Sequence, residues 1–190
     1  NKWLDGEIPP SNSKPDVVYD ETPNVIVAHL SGLDSTGHRY GSKDSTEYID
    51  KLKWLDDNFA IIFDKVPDNW TVVVTSDHGL TDTGQHGSPD QIIREVGAWA
   101  WGPKIKKGHV MEREIDQRDL ATLPSLLLSL PLPHANHGVF PLEMLDISQE
   151  HKQDLEQWNW NATIKRNEWM EENGHPYVKG LTSDVIEWDK

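Results

Sequence analysis

"NVIVAHLSGLDSTGHRYG" (residues 24–41) and "WTVVVTSDHGLTDTGQHG" (residues 70–87) share one layout. Each starts as an apolar, β-branched run and ends in a loop crowded with Gly, Asp and His. Runs such as NVIVAHL and WTVVVTS have the composition of strands buried on both faces. VGAWAWG (residues 96–102) reads as a third strand. A Gly- and Ser-rich loop follows the first strand. After it comes STEYIDKLKWLDDNFAIIFDKV (residues 45–66), where Tyr48, Leu52, Leu55, Phe59, Ile62 and Phe63 step by threes and fours, as on one face of a helix. Ser45 or Thr46 can cap that helix.

Farther along, DLATLPSLLLSL (residues 119–130) predicts a helix with Pro124 in its first turn. The polar, Trp-studded tail from Gln149 predicts a helix to about Met170. Strands alternating with helices predict an α/β layered fold with a mainly parallel sheet. Residues 1–23 carry four prolines and few apolar side chains, the composition of an arm or linker. The expected organisation is therefore an arm (1–23), a body (24–147) and a helical tail (148–190).

The 190 residues suit one domain of ordinary size. Lys and Arg number 18 against 32 Asp and Glu, a formal charge of −14. Such a surface has no basic patch for nucleic-acid phosphates. It does not exclude a phosphate ester, because bound metal ions invert the local field. With no cysteine there is no disulfide framework. The most apolar run, LPSLLLSLPLP (residues 123–133), is too short and too Pro-broken to span a bilayer. The chain begins with Asn, which reads as a processed product or a piece of something longer. Two sequons, at Asn69 and Asn161, would allow glycosylation in a lumenal or secreted setting.

In open α/β sheets, ligands gather beyond the carboxyl ends of the strands. Asp34 and His38 follow the first strand, and Asp77, His78 and His86 follow the second, so all five fall on one edge of the expected sheet. Imidazole and carboxylate are the usual non-thiolate ligands of Zn²⁺. Asp34 and His38 are four apart, which puts them on one face if that segment makes a helical turn. The adjacent Asp77 and His78 need a turn, which Gly79 permits. Taken singly, an Asp beside a Gly is turn chemistry, and a lone His is a hydrogen-bonded structural residue. Five together exceed what one tetrahedral zinc uses, so two ions are expected, the usual clamp for displacement at phosphorus. His29 reads as a core histidine. His109, His134, His137, His151 and His175 have no partner pattern, and Trp158 to Trp169 read as packing.

HLSGLDSTGHRYG, TSDHGLTDTGQHG, AWAWGP and IDQRDLATLPSLLLSLPLPHANHGVFP resemble, in that order, the second half of the alkaline-phosphatase superfamily's catalytic domain. The likeness is greatest to the GPI ethanolamine phosphate transferases and covers about residues 24–141. It implies a three-layer α/β sandwich of the alkaline-phosphatase type, of which residues 24–147 would be the C-terminal portion. It also implies that Asp34, His38 and His86 bind one zinc, that Asp77 and His78 bind another, and that Asp119 and Asn136 are structural.

The implied reaction is transfer of phosphoethanolamine to a glycan hydroxyl through a phospho-enzyme, on the lumenal side of the endoplasmic reticulum or elsewhere in the secretory pathway. A Thr or Ser nucleophile comes from upstream strands in this family. Here Ser11, Ser13 and Thr22 fit no strand-then-helix setting, so the nucleophile is expected outside this chain. A missing N-terminal half or a companion chain would supply it, and the piece alone should expose apolar surface. The alternatives are a phosphodiesterase or nucleotide pyrophosphatase-like hydrolase with water as acceptor, and an inactive structural or interaction subunit that kept the ligands.

Overall fold

A computed structural model describes residues 25–133 and 136–174. The chain divides into two compact units, Asn1–Pro103 and Lys104–Lys190.

In the first unit, residues 25–30 form no regular secondary structure, although a strand is expected there. Val25, Val27 and Leu30 are exposed, Val27 by 81%. A β-branched run becomes a strand only when a neighbour takes up its backbone N–H and C=O groups, and the described residues offer this segment none. The next stretch departs from expectation the other way. The expected loop is a helix, α1 (Gly32–Tyr40). Gly32 and Gly37 make it a poor helix by propensity, and its support is tertiary. α1 packs against α2 (Thr46–Phe63), and Gly37 is buried beside Leu80 and Tyr48.

α2 forms as its periodicity predicts. The Ser45 hydroxyl accepts the Tyr48 N–H at 3.2 Å and caps it. Phe59 and Phe63 stack on one another, and Phe63 meets Trp101 edge-on with centroids 4.7 Å apart. Yet α2 buries no residue fully, and Leu52, expected on its inner face, is exposed.

The second and third expected strands are present as β1 (Val72–Thr75) and β2 (Ala98–Trp101). They pair antiparallel, Val72 opposite Trp101 and Thr75 opposite Ala98. The mainly parallel sheet is therefore not what the described residues form; their sheet has two strands. A parallel return needs a crossover of a dozen or more residues, usually helical. The connection from β1 to β2 instead holds a Gly- and Asp-rich loop and a single helical turn, α3 (Gln91–Arg94).

In the second unit, the helix expected over residues 119–130 is split into α4 (Gln117–Leu120) and α5 (Leu123–Leu127), with Pro124 in the first turn of α5 as predicted. Asp116 and Asp119 close a reciprocal cap on α4. Asp119 is buried, and its other oxygen accepts the Val139 N–H at 2.8 Å, so it also fastens the segment that follows Asn136. That gives the structural role expected for Asp119 a physical basis. A short ladder joins Ile105 to Leu145, and a 3₁₀ turn (Leu142–Met144) precedes α6 (Gln149–Glu172). Ser148 caps α6 at the His151 N–H. Arg166 of α6 donates to the Asn136 carbonyl and to the Asn167 side chain. The core of this unit is Ile105, Leu123, Phe140, Leu142 and Leu145.

Candidate metal centre

Asp34 and His38 stand one turn apart on α1, with Asp34 Oδ1 3.4 Å from His38 Nε2. The loop after β1 supplies the opposing group. His86 Nε2 lies 3.0 Å from His38 Nε2 and 3.5 Å from Asp34 Oδ1.

Two glycines make that approach possible. A Cβ on Gly84, whose φ is +75°, would sit 1.9 Å from the Gly37 carbonyl oxygen; one on Gly79 would sit 2.0 Å from that of Ile92. Gly79 therefore serves close backbone approach, and its N–H donates to the Ile93 carbonyl at 2.8 Å. Further ties hold the loop against the end of α1. The Ser42 and Lys43 N–H groups donate to the Asp82 carbonyl, the Ser42 hydroxyl donates to the Thr81 carbonyl, and Lys43 pairs with the Asp82 carboxylate.

His78 joins the group from the start of the same loop. Its ring stacks on that of His86 with centroids 3.9 Å apart, and ligand atoms of Asp34, His78 and His86 lie within 4.8 Å of one another. His78 Nδ1 lies 3.1 Å from the Gly79 carbonyl, which can only accept, so Nδ1 donates there and Nε2 is the ring nitrogen left for a ligand bond. That Nε2 lies 3.6 Å from Asp77 Oδ2. Asp77 is more open, its side chain 65% exposed, and His29 reaches within 4.0 Å of it. His29 is thus an exposed neighbour of the site, not a core histidine. Nothing local signals this, because in the expected strand His29 would have been covered.

The donor set fits a metal ion. Bonds of about 2.0–2.2 Å at tetrahedral angles put ligand atoms roughly 3.3–3.6 Å apart, near the 3.0, 3.4 and 3.5 Å separations here. Asp34 Oδ1 is buried and has no hydrogen-bond partner. A buried carboxylate oxygen left so is costly unless a cation meets it. The structure thus gathers Asp34, His38, His78 and His86 into one cluster, with Asp77 at its exposed edge beside His78. Tyr48 borders it, and burial, then the Asp34 charge, raises its phenol above the usual range.

The family model described as type I phosphodiesterase / nucleotide pyrophosphatase matches residues 6–177. The chain belongs to that family. Membership places it in the alkaline-phosphatase superfamily and supports an α/β fold. Among curated relatives, GPI ethanolamine phosphate transferase 1 of Yarrowia lipolytica is 33% identical over 153 residues, covering 67% of this chain and 16% of the relative. That of Saccharomyces cerevisiae is 28% identical over 164 residues, covering 74% and 18%. GPI ethanolamine phosphate transferase 3, catalytic subunit, of Mus musculus is 29% identical over 141 residues, covering 70% and 13%. The chain spans less than a fifth of the length of these relatives. No solved structure matches it significantly.

His109 has a partner the sequence did not signal, Glu143 at 2.9 Å across 34 residues. The backbone N–H of Glu112 and the His109 ring hold the Glu143 carboxyl below its usual range. His137 and His151 are exposed. Trp158 stacks on Phe140, as expected of a packing residue, yet it is 40% exposed and Trp169 is 43% exposed, so packing accounts for only part of the Trp158 to Trp169 stretch. Asn69 is exposed in the turn before β1, and Asn161 is exposed on α6 with its Oδ1 accepting from Gln157. Ser11, Ser13, Thr22, His134 and His175 lie outside the described residues. Among the described residues, no helix is long and apolar enough to cross a membrane.

Proposed function

We propose that this chain carries the metal-ligand half of a two-zinc phosphotransferase that moves phosphoethanolamine to a glycan hydroxyl. The observation that carries the reading is the convergence of Asp34, His38 and His86, from segments 48 residues apart, on an Asp34 oxygen with no other partner. The relatives' names supply the chemical class.

Asp34, His38 and His86 would hold one ion, and Asp77 and His78 the other, with His78 close enough to His86 to couple the two. Such ions, when bound, supply Lewis acidity towards a phosphoryl oxygen. The chain's own residues do the positioning. α1 presents Asp34 and His38 at a fixed helical spacing, the Gly79 carbonyl fixes the His78 tautomer, and the glycine-packed loop brings His86 opposite. We assign the nucleophile to a companion segment outside these residues, and the setting to the lumenal side of the endoplasmic reticulum, where Asn69 and Asn161 are the glycan acceptors.

The family model's own description favours a second reading, a phosphodiesterase that delivers the group to water. Release of free phosphoethanolamine, measured against transfer to a mannose-containing acceptor, separates the two. The metal assignment is tested by elemental analysis and zinc titration. Native material should hold two zinc ions per chain when the companion segment is present. His86→Ala should weaken the tighter site by on the order of 100-fold, the loss of one of its three protein ligands. Unchanged zinc affinity in that variant would sink the assignment, and absence of zinc from native material would favour an inactive module.

A further inference from the structure

The second unit holds a cavity of about 670 Å³ that uses none of the metal-centre residues. Leu126 and Leu130 line it from α5 and the turn after it, Leu145 from the short ladder, and Leu155 and Trp158 from α6. Its volume is in the range of small-molecule sites, and its walls are mainly aliphatic. Lys104 and His151 also line it, and no lining residue is acidic. In a chain with 32 carboxylates against 18 Lys and Arg, that local excess of base is selective. Among the described residues, neither Lys104 nor His151 is engaged by a carboxylate.

The backbone holds Lys104 in place. The Asp146 N–H donates to the Lys104 carbonyl at 2.8 Å and the Lys106 N–H to the Met144 carbonyl at 2.9 Å, either side of the Ile105–Leu145 bridge. Lys104 itself has φ +68°, in the left-handed region that a lysine seldom adopts. The fold therefore fixes the main chain of Lys104 at the edge of an apolar recess, with His151 beside it from the first turn of α6.

We propose that this cavity binds a single-chain anionic lipid, its alkyl chain among Leu126, Leu130, Leu145, Leu155 and Trp158 and its head group against Lys104. A cationic amphiphile would bury the same chain but meet Lys104 unfavourably. A polar anion would lose the apolar contact.

The test is calorimetric titration of the 190-residue chain with dodecyl phosphate below its micelle-forming concentration, against dodecyltrimethylammonium as the charge-reversed probe. Dodecyl phosphate should bind at least about ten-fold more tightly, a difference of about 1.4 kcal/mol. Two variants are chosen to keep the fold. Lys104→Asn removes the ammonium with a residue that tolerates the left-handed region. His151→Glu puts a carboxylate at the cavity while completing a Ser-x-x-Glu cap on α6. Each should weaken dodecyl phosphate binding, with circular dichroism unchanged. Equal affinity for both probes, no binding of the phosphate, or indifference to both variants would overturn the proposal. Binding that appeared only after removal of residues 175–190 would also overturn it, by making the chain's own tail the occupant.

Discussion

The two units solve different problems with different residues. Five of the six buried large apolar side chains among the described residues, Ile105, Leu123, Phe140, Leu142 and Leu145, belong to the second unit. The first contributes Ile93 alone, while Val27, Trp54, Ile61 and Trp99 stand exposed. Yet the convergent Asp and His cluster is in the first. There the geometry is held by backbone packed on backbone at Gly84 and Gly37 and by hydrogen bonds from the end of α1 to the Thr81–Asp82 turn. Precision at a site does not require a dense apolar core beneath it; in this molecule, glycine contact and main-chain bonding do that work.

One substitution type made in both units would break or sharpen this contrast. Leu123→Ala removes a side chain that is 2% exposed, and should cost about 3–4 kcal/mol in urea unfolding, as buried Leu truncations do. Leu52→Ala, at a position 48% exposed on α2, should cost less than about 1 kcal/mol. Similar costs at the two positions would mean that the first unit has a core of its own.

The next effect concerns the site. Gly84→Val forces a side chain into the Gly37 carbonyl and strains a positive φ. A displacement worth about 2–3 kcal/mol, within the range for strained backbone, should lower zinc affinity by roughly 30- to 150-fold. The urea transition of the second unit should not move. A variant that bound zinc normally would show that His86 reaches its partners by another route.

The smallest effect is one of pH. Asp116 bonds the Arg118 guanidinium, which holds its carboxyl down at about 2 against an ordinary 3.8. A depressed carboxyl stabilises the fold above its unfolded pKa, and that contribution is lost as pH falls through the folded value. The increment should therefore fade between about pH 4 and pH 2, in stability curves measured by circular dichroism. Asp116→Asn, which still caps α4, should lack it. Both groups are exposed, so the increment is small and should shrink further in salt.

Features set by neighbours in sequence were legible before the structure. α2 and its Ser45 cap, the long α6, Pro124 in the first turn of α5 and the shared face of Asp34 and His38 all follow from spacings of three or four residues. What depended on distant partners was not. Residues 25–30 have strand composition, but composition does not supply a hydrogen-bonding neighbour. The antiparallel β1–β2 pairing turns on a 22-residue connection without a crossover helix, and α1 turns on tertiary packing of a glycine-containing segment. The five ligand candidates were found because their chemistry is local. That His78 lies against His86 as well as Asp77, and that His109 pairs with Glu143, came only with the fold.

The contact between Gly37 and Gly84 has a thermodynamic consequence. The halves of the Asp and His cluster lie on either side of it, so an ion held by both would act as a reversible cross-link across a 48-residue loop. It would add RT ln(1 + [L]/Kd) to the folded state, about 2.7 kcal/mol at 100 times Kd. In a unit with so little buried apolar surface, that is a large share of what holds it together. Free metal concentration would then govern how often the α1 and β1 segments separate, and a chelator would register first as faster amide exchange there and only later as global unfolding.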